Sequence, residues 1–180
     1  MIKDNFILKI NTKNLIKNYY FFKKRKENLL VGSTIKSNAY GLGFRKIYEL
    51  LLNNGCKHFF VATLEEGIKI NNKRKGIFIY VLNGIQNYDL KLFNQYNLTP
   101  IINTRMELKR ITKSKLKFGL HIDTGINRLG INYDNIPSHI FNNKNITILI
   151  SHLSSADEQK NAYNNFQKNK FINIIKKFNN

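Results

Sequence analysis

Short apolar segments alternate with helix-like segments along most of the chain, and this alternation constrains the fold more than any other feature. The apolar segments have the length of β-strands and fall at residues 29–35, 58–62, 76–82, 99–102, 116–122 and 146–150. Apolar residues recur three and four positions apart in the other segments, which predicts helices at residues 44–53, 64–71, 87–96, 105–112 and 162–178. This succession is typical of an α/β fold built from βα units.

The candidate strands are apolar on successive positions, as in the run Ile-Phe-Ile-Tyr-Val-Leu at residues 77–82. Strands of this kind are buried on both faces, which predicts a parallel sheet covered by helices. A doubly wound sheet and a (β/α)8 barrel both fit this pattern. The glycine fingerprint of dinucleotide-binding folds is absent after the first candidate strand, which weakens the doubly wound alternative.

Residues capable of chemistry follow the ends of several candidate strands: Lys36, Asn103, Asp123, Arg128 and His152. Barrel enzymes assemble their active sites at the carboxyl ends of the strands, so this placement favours the barrel. A complete barrel needs about 250 residues. Because the chain has 180 residues, we expect an incomplete (β/α)8 TIM-type barrel of about six βα units.

The formal net charge of +19 raises the possibility of a nucleic-acid-binding protein. However, the basic clusters at residues 23–26 and 73–75 fall at predicted helix ends, where they complement the helix dipole and lie in solvent. No basic motif with interleaved aromatic residues of the RNA-recognition type is present. We therefore favour a solvated basic surface and expect no nucleic-acid partner.

Other features of the composition indicate a cytoplasmic globular protein. No apolar run approaches the roughly 20 residues of a membrane span, and the N-terminus does not have the pattern of a signal peptide. Cys56 is the only cysteine, so no disulfide can form within the chain. His58 and His139 show no metal-ligand spacing with each other or with Cys56, and we expect no metal site.

The N-terminal segment lies outside the regular βα pattern. Residues 6–10 alternate like a strand, and Asn11 or Thr12 can cap a helix that runs to about residue 26. We expect residues 1–10 to pair with something other than the barrel, and residues 11–180 to form the barrel portion.

The candidate site residues have ordinary alternatives. Lys36 in partly desolvated surroundings could form an imine with a carbonyl group, or it could simply reach into solvent. Arg128 could clamp a carboxylate, or pair with Asp123 within its own loop. Tyr40 could bind a phosphate at a helix-opening turn, or pack. His152 could stack on a flat ring or act as an acid or base, or be a satisfied core histidine.

Four segments together resemble the alanine racemases, barrel enzymes that use pyridoxal phosphate. Residues 35–41, Ile-Lys-Ser-Asn-Ala-Tyr-Gly, are similar to the cofactor-lysine motif of that family, and residues 60–67 are similar to the segment that follows it. Residues 121–130 resemble the motif that carries the substrate arginine, and residues 151–158 match a fourth block. The motifs occur in the order and at the intervals of the family over nearly the whole chain.

The resemblance implies a function for each matching residue. Lys36 would hold pyridoxal 5'-phosphate through an imine and would act as the base on the α-proton of the D-amino acid. Tyr40 would contact the cofactor phosphate, Arg128 would orient the substrate carboxylate, and His152 would lie against the pyridine ring. The implied activity is an isomerase reaction that interconverts L-alanine and D-alanine and supplies D-alanine for peptidoglycan precursors.

The resemblance also shows departures. His121 stands where many members have a lysine, and Leu42 stands where the family usually has histidine. The second base of the family is a tyrosine in a C-terminal β domain, with which the N-terminal strand pairs, and it acts across a homodimer interface. None of that domain lies within the 180 residues. We therefore expect a truncated N-terminal barrel portion with little or no racemase activity by itself, and a homodimer is doubtful.

Two alternatives remain open at this point. The chain could be a cofactor-binding module without turnover, or one half of a split racemase that a second polypeptide completes. The sequence leaves open whether alanine or serine is the substrate, because the pocket residues of the second domain are not part of it.

Overall fold

A computed structural model describes residues 7–25, 27, 30–70 and 74–178. The strands in this part of the chain are β1 (Ser33–Thr34), β2 (His58–Val61), β3 (Phe78–Val81), β4 (Leu98–Ile102), β5 (Phe118–Asp123), β6 (Ile131–Asn132) and β7 (Ile146–Ile150). The helical segments are α1 (Thr12–Lys23), α2 (Lys36–Tyr40), α3 (Phe44–Asn53), α4 (Leu64–Ile70), α5 (Leu90–Gln95), α6 (Arg105–Ile111) and α7 (Ala162–Phe178). Two short 3-10 helices, Tyr133–Asn135 and Ser138–Ile140, precede β7.

All the strands pair in parallel, and β1 to β5 are neighbours in chain order. Both β6 and β7 pair with β5. In a doubly wound sheet the strand order reverses at a switch point, and the helices lie on both faces. When every right-handed crossover moves in the same direction, the strand order does not reverse and all the helices lie on one face. The observed order is therefore that of a barrel.

The sheet also curls. One cavity contacts both Thr34 of β1 and Ile150 of β7, although four strands lie between them in the sheet order. In a flat sheet with strands about 4.8 Å apart, these two strands would be separated by roughly 24 Å. The predicted fold class, an incomplete α/β barrel, is confirmed.

The two faces of the strands pack against different neighbours. On the face covered by helices, Phe59 and Ile79 are fully buried, and the ring of Phe59 lies 4.7 Å from that of Tyr48 in α3. On the opposite face, which we call the inner face, the rings of Phe60 and Tyr80 stack at a centroid distance of 4.8 Å. The hydrophobic core therefore lies between the sheet and its helices.

The predicted bounds agree with the structure for α3, β7 and α7, and the other elements are shifted by a few residues. Strand β6 was not predicted because two residues are too short to show a periodicity. Residues 26, 29, 71 and 73, which belong to predicted elements or basic clusters, lie outside the described residues. None of the helices within the described ranges is long and apolar enough to cross a membrane.

The helix predicted near the N-terminus is confirmed, whereas the described part of the predicted N-terminal strand forms no strand. The side chain of Asn11 accepts a hydrogen bond from the Asn14 N–H at 3.0 Å and so caps α1, as expected. Residues 7–10 belong to neither a strand nor a helix, and residue 6 lies outside the described ranges. The division into residues 1–10 and 11–180 stays a prediction.

Candidate active site

A cavity of about 520 Å³ lies at the carboxyl ends of the strands. This volume falls in the range of pockets that bind small molecules, about 300–1,000 Å³. Its polar lining includes Lys36, Tyr40, His121, Arg128 and His152, and none of the aspartates and glutamates that the structure describes lines it. The four residues that the sequence predicts for the site therefore surround one cavity, whereas the roles of these residues stay predictions.

Parallel strands explain why residues so distant in the sequence meet here. Lys36 comes two residues after β1, Arg128 lies in the loop after β5, and His152 comes two residues after β7. Because the strands run in the same direction, the segments that follow them emerge at the same edge of the sheet. Lys36 is half-buried, whereas Tyr40, Arg128 and His152 are exposed at the mouth of the cavity.

The segment that carries Lys36 has an unusual backbone. Four successive non-glycine residues, Ser37, Asn38, Ala39 and Tyr40, have φ between 52° and 56°. This left-handed conformation costs about 1–2 kcal/mol for each such residue, so it persists only where the surroundings impose it. It places the Lys36 amine 6.0 Å from the centroid of the Tyr40 ring. The sequence predicts only a turn and a helix start here, and it gives no sign of left-handed residues.

Asp123 organises the loop that carries Arg128. Its Oδ1 accepts hydrogen bonds from the N–H groups of Gly125 and Asn127, at 2.9 and 3.2 Å. An ion pair between Asp123 and Arg128, the alternative considered above, does not occur in the described part of the chain. The carboxylate therefore holds the backbone of the loop and leaves the guanidinium available to a ligand.

His121 is a buried, neutral histidine. The side-chain amide nitrogen of Asn103 donates to the carbonyl oxygens of Leu82 and Ile101, so Asn103 Oδ1 is left to accept from His121 Nδ1 at 2.8 Å. This assignment leaves His121 Nε2 as a bare acceptor, and it is buried without a partner. Burial, followed by the charges of His152 and Arg128, lowers the pKa of His121 to about 4, and the charge of Asp123 opposes this only partly.

Acidification is expected to remove the stability that neutral His121 contributes. The pKa of His121 falls from 6.5 to about 4 on folding, so the unfolded chain binds more protons and the folded state loses stability as the pH drops through this window. The full contribution, present above pH 6.5, is at most roughly 3 kcal/mol. Urea unfolding of the wild type and of His121→Gln between pH 4 and 7.5 measures it.

The wild-type advantage in unfolding free energy should shrink toward low pH. Taking the difference between the two proteins cancels the effect of His58, whose pKa is also lowered. A difference that is the same at every pH would contradict the prediction.

His152 shares the cationic environment of the site. Partial desolvation, followed by the charges of Arg128 and Lys36, lowers its pKa. Its imidazole therefore favours the neutral form, and the fixed positive charge at the site comes from the amine and the guanidinium. Such a site is suited to a ligand with several negative charges.

Gln167 of α7 is a site-supporting residue that the sequence analysis missed. It is fully buried, its Nε2 donates to the carbonyl oxygen of His152 at 3.0 Å, and its Oε1 accepts from the Ser154 N–H at 2.9 Å. It thus anchors the loop after β7. One signal could have found it, because Gln167 stands on the same helical face as Phe171 and Ile174, four and seven positions later.

The fold and the site define a barrel domain with a lysine at the mouth of a cationic pocket. The profile of a known family, alanine racemase, N-terminal domain, matches residues 10–180. The chain belongs to this family.

Several relatives match over most of this chain. The alanine racemase of Rickettsia typhi is 35% identical over 183 residues, which cover 95% of this chain and 46% of that protein. The alanine racemase of Rickettsia bellii is 38% identical over 167 residues, which cover 84% of this chain and 40% of that protein. The chain thus spans about half the length of the curated relatives it matches.

Solved structures of the family have the same fold. The alanine racemase of Bartonella henselae, solved with covalently bound pyridoxal phosphate, superposes with a TM-score of 0.80 at 24% identity, over 93% of this chain and 52% of that one. A histidine racemase from Leuconostoc mesenteroides superposes with a TM-score of 0.71 at 21% identity, over 89% of this chain and 46% of that one. At these identities the likeness establishes the fold and leaves the substrate undecided.

Proposed function

We propose that this chain is the cofactor-binding half of an alanine racemase, in which Lys36 binds pyridoxal phosphate covalently. The observation that carries the proposal is that Lys36, Arg128 and His152 surround one cavity at the carboxyl ends of the strands. The family membership supports it, as does the covalently bound cofactor of the Bartonella henselae relative.

The residues of the cavity suit such a cofactor. Pyridoxal phosphate combines a phosphate dianion, an aldehyde and a flat ring. The cavity offers an amine for the aldehyde, a phenol and a guanidinium for anionic groups, and an imidazole with a lowered pKa for the ring. Within the described ranges, no carboxylate lines the cavity to repel an anion. The buried, unpartnered Nε2 of His121 remains as an acceptor for a donor group near Arg128.

Each side chain has a definite task in this proposal. Lys36 binds the cofactor and, when its amine is released, takes or returns the substrate α-proton at Nζ. Arg128 pairs with the substrate carboxylate, a bidentate interaction that fixes orientation. Tyr40 donates a hydrogen bond from its hydroxyl group to the phosphate, and neutral His152 covers the ring without adding charge. When bound, the cofactor supplies the electron sink that makes the α-proton removable near neutral pH.

Racemisation needs acid–base groups on both faces of the substrate. We propose that the second group comes from the half of the family's length that this chain does not cover. The chain alone would then exchange the α-proton of one enantiomer without forming the other. In a completed enzyme, which we propose to be cytoplasmic and dimeric, the product D-alanine would serve peptidoglycan precursors.

The unpaired side of β7 supports a barrel that is completed by further strands. Within the described residues, β7 pairs with β5 and with no other strand. An unpaired edge presents a row of backbone N–H and C=O groups to which another strand can add.

Titration of the purified chain with pyridoxal phosphate tests the proposal. We expect the near-visible absorption band of a lysine imine, and after borohydride reduction a mass increase that peptide mapping places on Lys36. Addition of a polypeptide that corresponds to the second half of the Rickettsia typhi relative should then give D-alanine from L-alanine. A reduced adduct without turnover would indicate a binding module, and the absence of any adduct on Lys36 would overturn the proposal.

A further inference from the structure

The carboxylate of Glu66 joins two neighbouring βα loops beside Lys36. Glu66 lies in α4, and its Oε1 accepts from the Ser37 N–H at 2.7 Å. Its Oε2 accepts from the Ala62 N–H, also at 2.7 Å. The end of β2 is thereby tied to the residue that directly follows Lys36, and both oxygens of the carboxylate are used.

The same arrangement occurs a second time in the barrel. Glu107 of α6 accepts from the Asn103 N–H through Oε2 and from the Ile85 N–H through Oε1, both at 2.9 Å. The spacing is the same in both cases. One N–H donor lies four residues before the glutamate, and a threonine lies three residues before it. The hydroxyl of that threonine accepts a hydrogen bond from the N–H of the glutamate. The carboxylate bridge is therefore a repeated way of tying a βα loop to the preceding one.

The two bridges differ in what they hold. The Glu107 bridge ends on Ile85, which is fully buried and has no part in the cavity at Lys36. The Glu66 bridge ends on Ser37, the first of the four left-handed residues that follow Lys36. Hydrogen bonds to an ionised carboxylate are about twice as strong as neutral ones, so this bridge is suited to hold a strained backbone.

Other hydrogen bonds hold the rest of this turn. The Ala39 N–H donates to the Ile35 carbonyl at 2.9 Å, and Asn38 Oδ1 accepts from the Phe44 N–H at 2.9 Å. The Ser37 N–H is held by Glu66 alone among the described contacts. Loss of the Glu66 bridge would therefore remove the hydrogen bond that fixes the backbone at Ser37, next to the reactive amine of Lys36.

We infer that Glu66 is a positioning residue for Lys36, which holds the left-handed turn so that the amine faces Arg128 and His152. The inference rests on the proposed function, since it concerns the geometry in which Lys36 meets an aldehyde. Small displacements of a reacting group can slow a reaction by up to about 100-fold. Glu66 thus acts through the backbone of Ser37 and does not contact the ligand itself.

Glu66→Gln tests this inference, with Glu107→Gln as the matched control. Each variant keeps one acceptor oxygen of its bridge and replaces the other by an NH2 group. Because Glu107 also accepts from the N–H of Gln86 and from Thr104, its substitution removes at least as many hydrogen bonds as that of Glu66. The rate of covalent capture of pyridoxal phosphate is measured by stopped-flow absorption, together with the affinity for pyridoxine 5'-phosphate, which lacks the aldehyde. Thermal unfolding reports the stability of each variant.

We expect Glu66→Gln to slow covalent capture of pyridoxal phosphate at least tenfold, with little change in the affinity for pyridoxine 5'-phosphate. The capture rate of Glu107→Gln should stay within twofold of the wild-type rate. Equal capture rates in the two variants would overturn the inference. If the wild type itself captures no cofactor on Lys36, the proposed function fails instead.

Hydrogen exchange in the wild-type chain keeps the inference testable if Glu66→Gln does not fold. The Ser37 amide should then exchange as slowly as the amides of β2. Exchange of the Ser37 amide at the rate of a free peptide would overturn the inference.

Discussion

Lys36→Ala is expected to abolish covalent capture of pyridoxal phosphate at the site. Lys36 is the amine of the cavity, and a lysine that meets its aldehyde within a formed pocket reacts far faster than one on the surface. We expect the near-visible band to disappear and the initial rate of adduct formation to fall by about 100-fold or more. Borohydride reduction followed by mass spectrometry measures the residual adduct.

Two further variants make this test specific. Lys36→Arg keeps the positive charge, but a guanidinium stays protonated and forms no imine, so it should behave like Lys36→Ala in capture. Lys13→Ala removes an exposed lysine on α1 and should leave capture unchanged. Undiminished adduct formation in Lys36→Ala would show that the cofactor reacts elsewhere, because this chain carries many other lysines.

Phe59→Ala is expected to destabilise the chain much more than Phe60→Ala. The two phenylalanines are neighbours in β2 and point to opposite faces of the sheet. Phe59 is 0% exposed beneath the helices, so its truncation leaves a cavity and should reduce the unfolding free energy by about 3–5 kcal/mol. Since a domain is stable by only about 5–15 kcal/mol, this loss would remove a large fraction of the total stability.

Phe60→Ala is the matched control on the inner face. Phe60 is half-buried, and its truncation removes mainly the stacking on Tyr80. We therefore expect the unfolding free energy to fall by about 1–2 kcal/mol. Urea unfolding followed by far-UV circular dichroism measures both variants. Equal losses would contradict the assignment of the two faces, and would mean that the inner face is covered in solution.

Much of the fold could be predicted from local patterns. The period of the apolar residues placed α3, β7 and α7 at their observed bounds, and successive apolar positions in β3 predicted a sheet covered by helices. These features are local because burial acts on each segment through its own pattern of side chains. The bounds of β1 and α5 were less accurate, since turns and hydrogen bonds, rather than apolar periodicity, decide where they begin and end.

The candidate site could be predicted in part. Lys36, Tyr40, Arg128 and His152 follow strand ends, and the structure brings them to one cavity. Glu66 lies within the motif at residues 60–67, but the sequence indicates no role for it, and it gives none for Gln167 either. Both act on backbone groups from other units, and a sequence does not show which N–H or carbonyl group a side chain will reach.

The alternation of strands and helices, the parallel sheet and the family follow from residue types at short and regular spacing, which the amino-acid sequence shows directly. The left-handed backbone after Lys36 and the bridge from Glu66 to Ser37 are visible only in the folded chain. The tertiary structure also decided the neutral state of His121, whose pKa is set by burial and by charges from other segments. The physical reason is that strain, desolvation and charge interactions depend on distances in space, and chain folding sets these distances between residues that are far apart in the sequence.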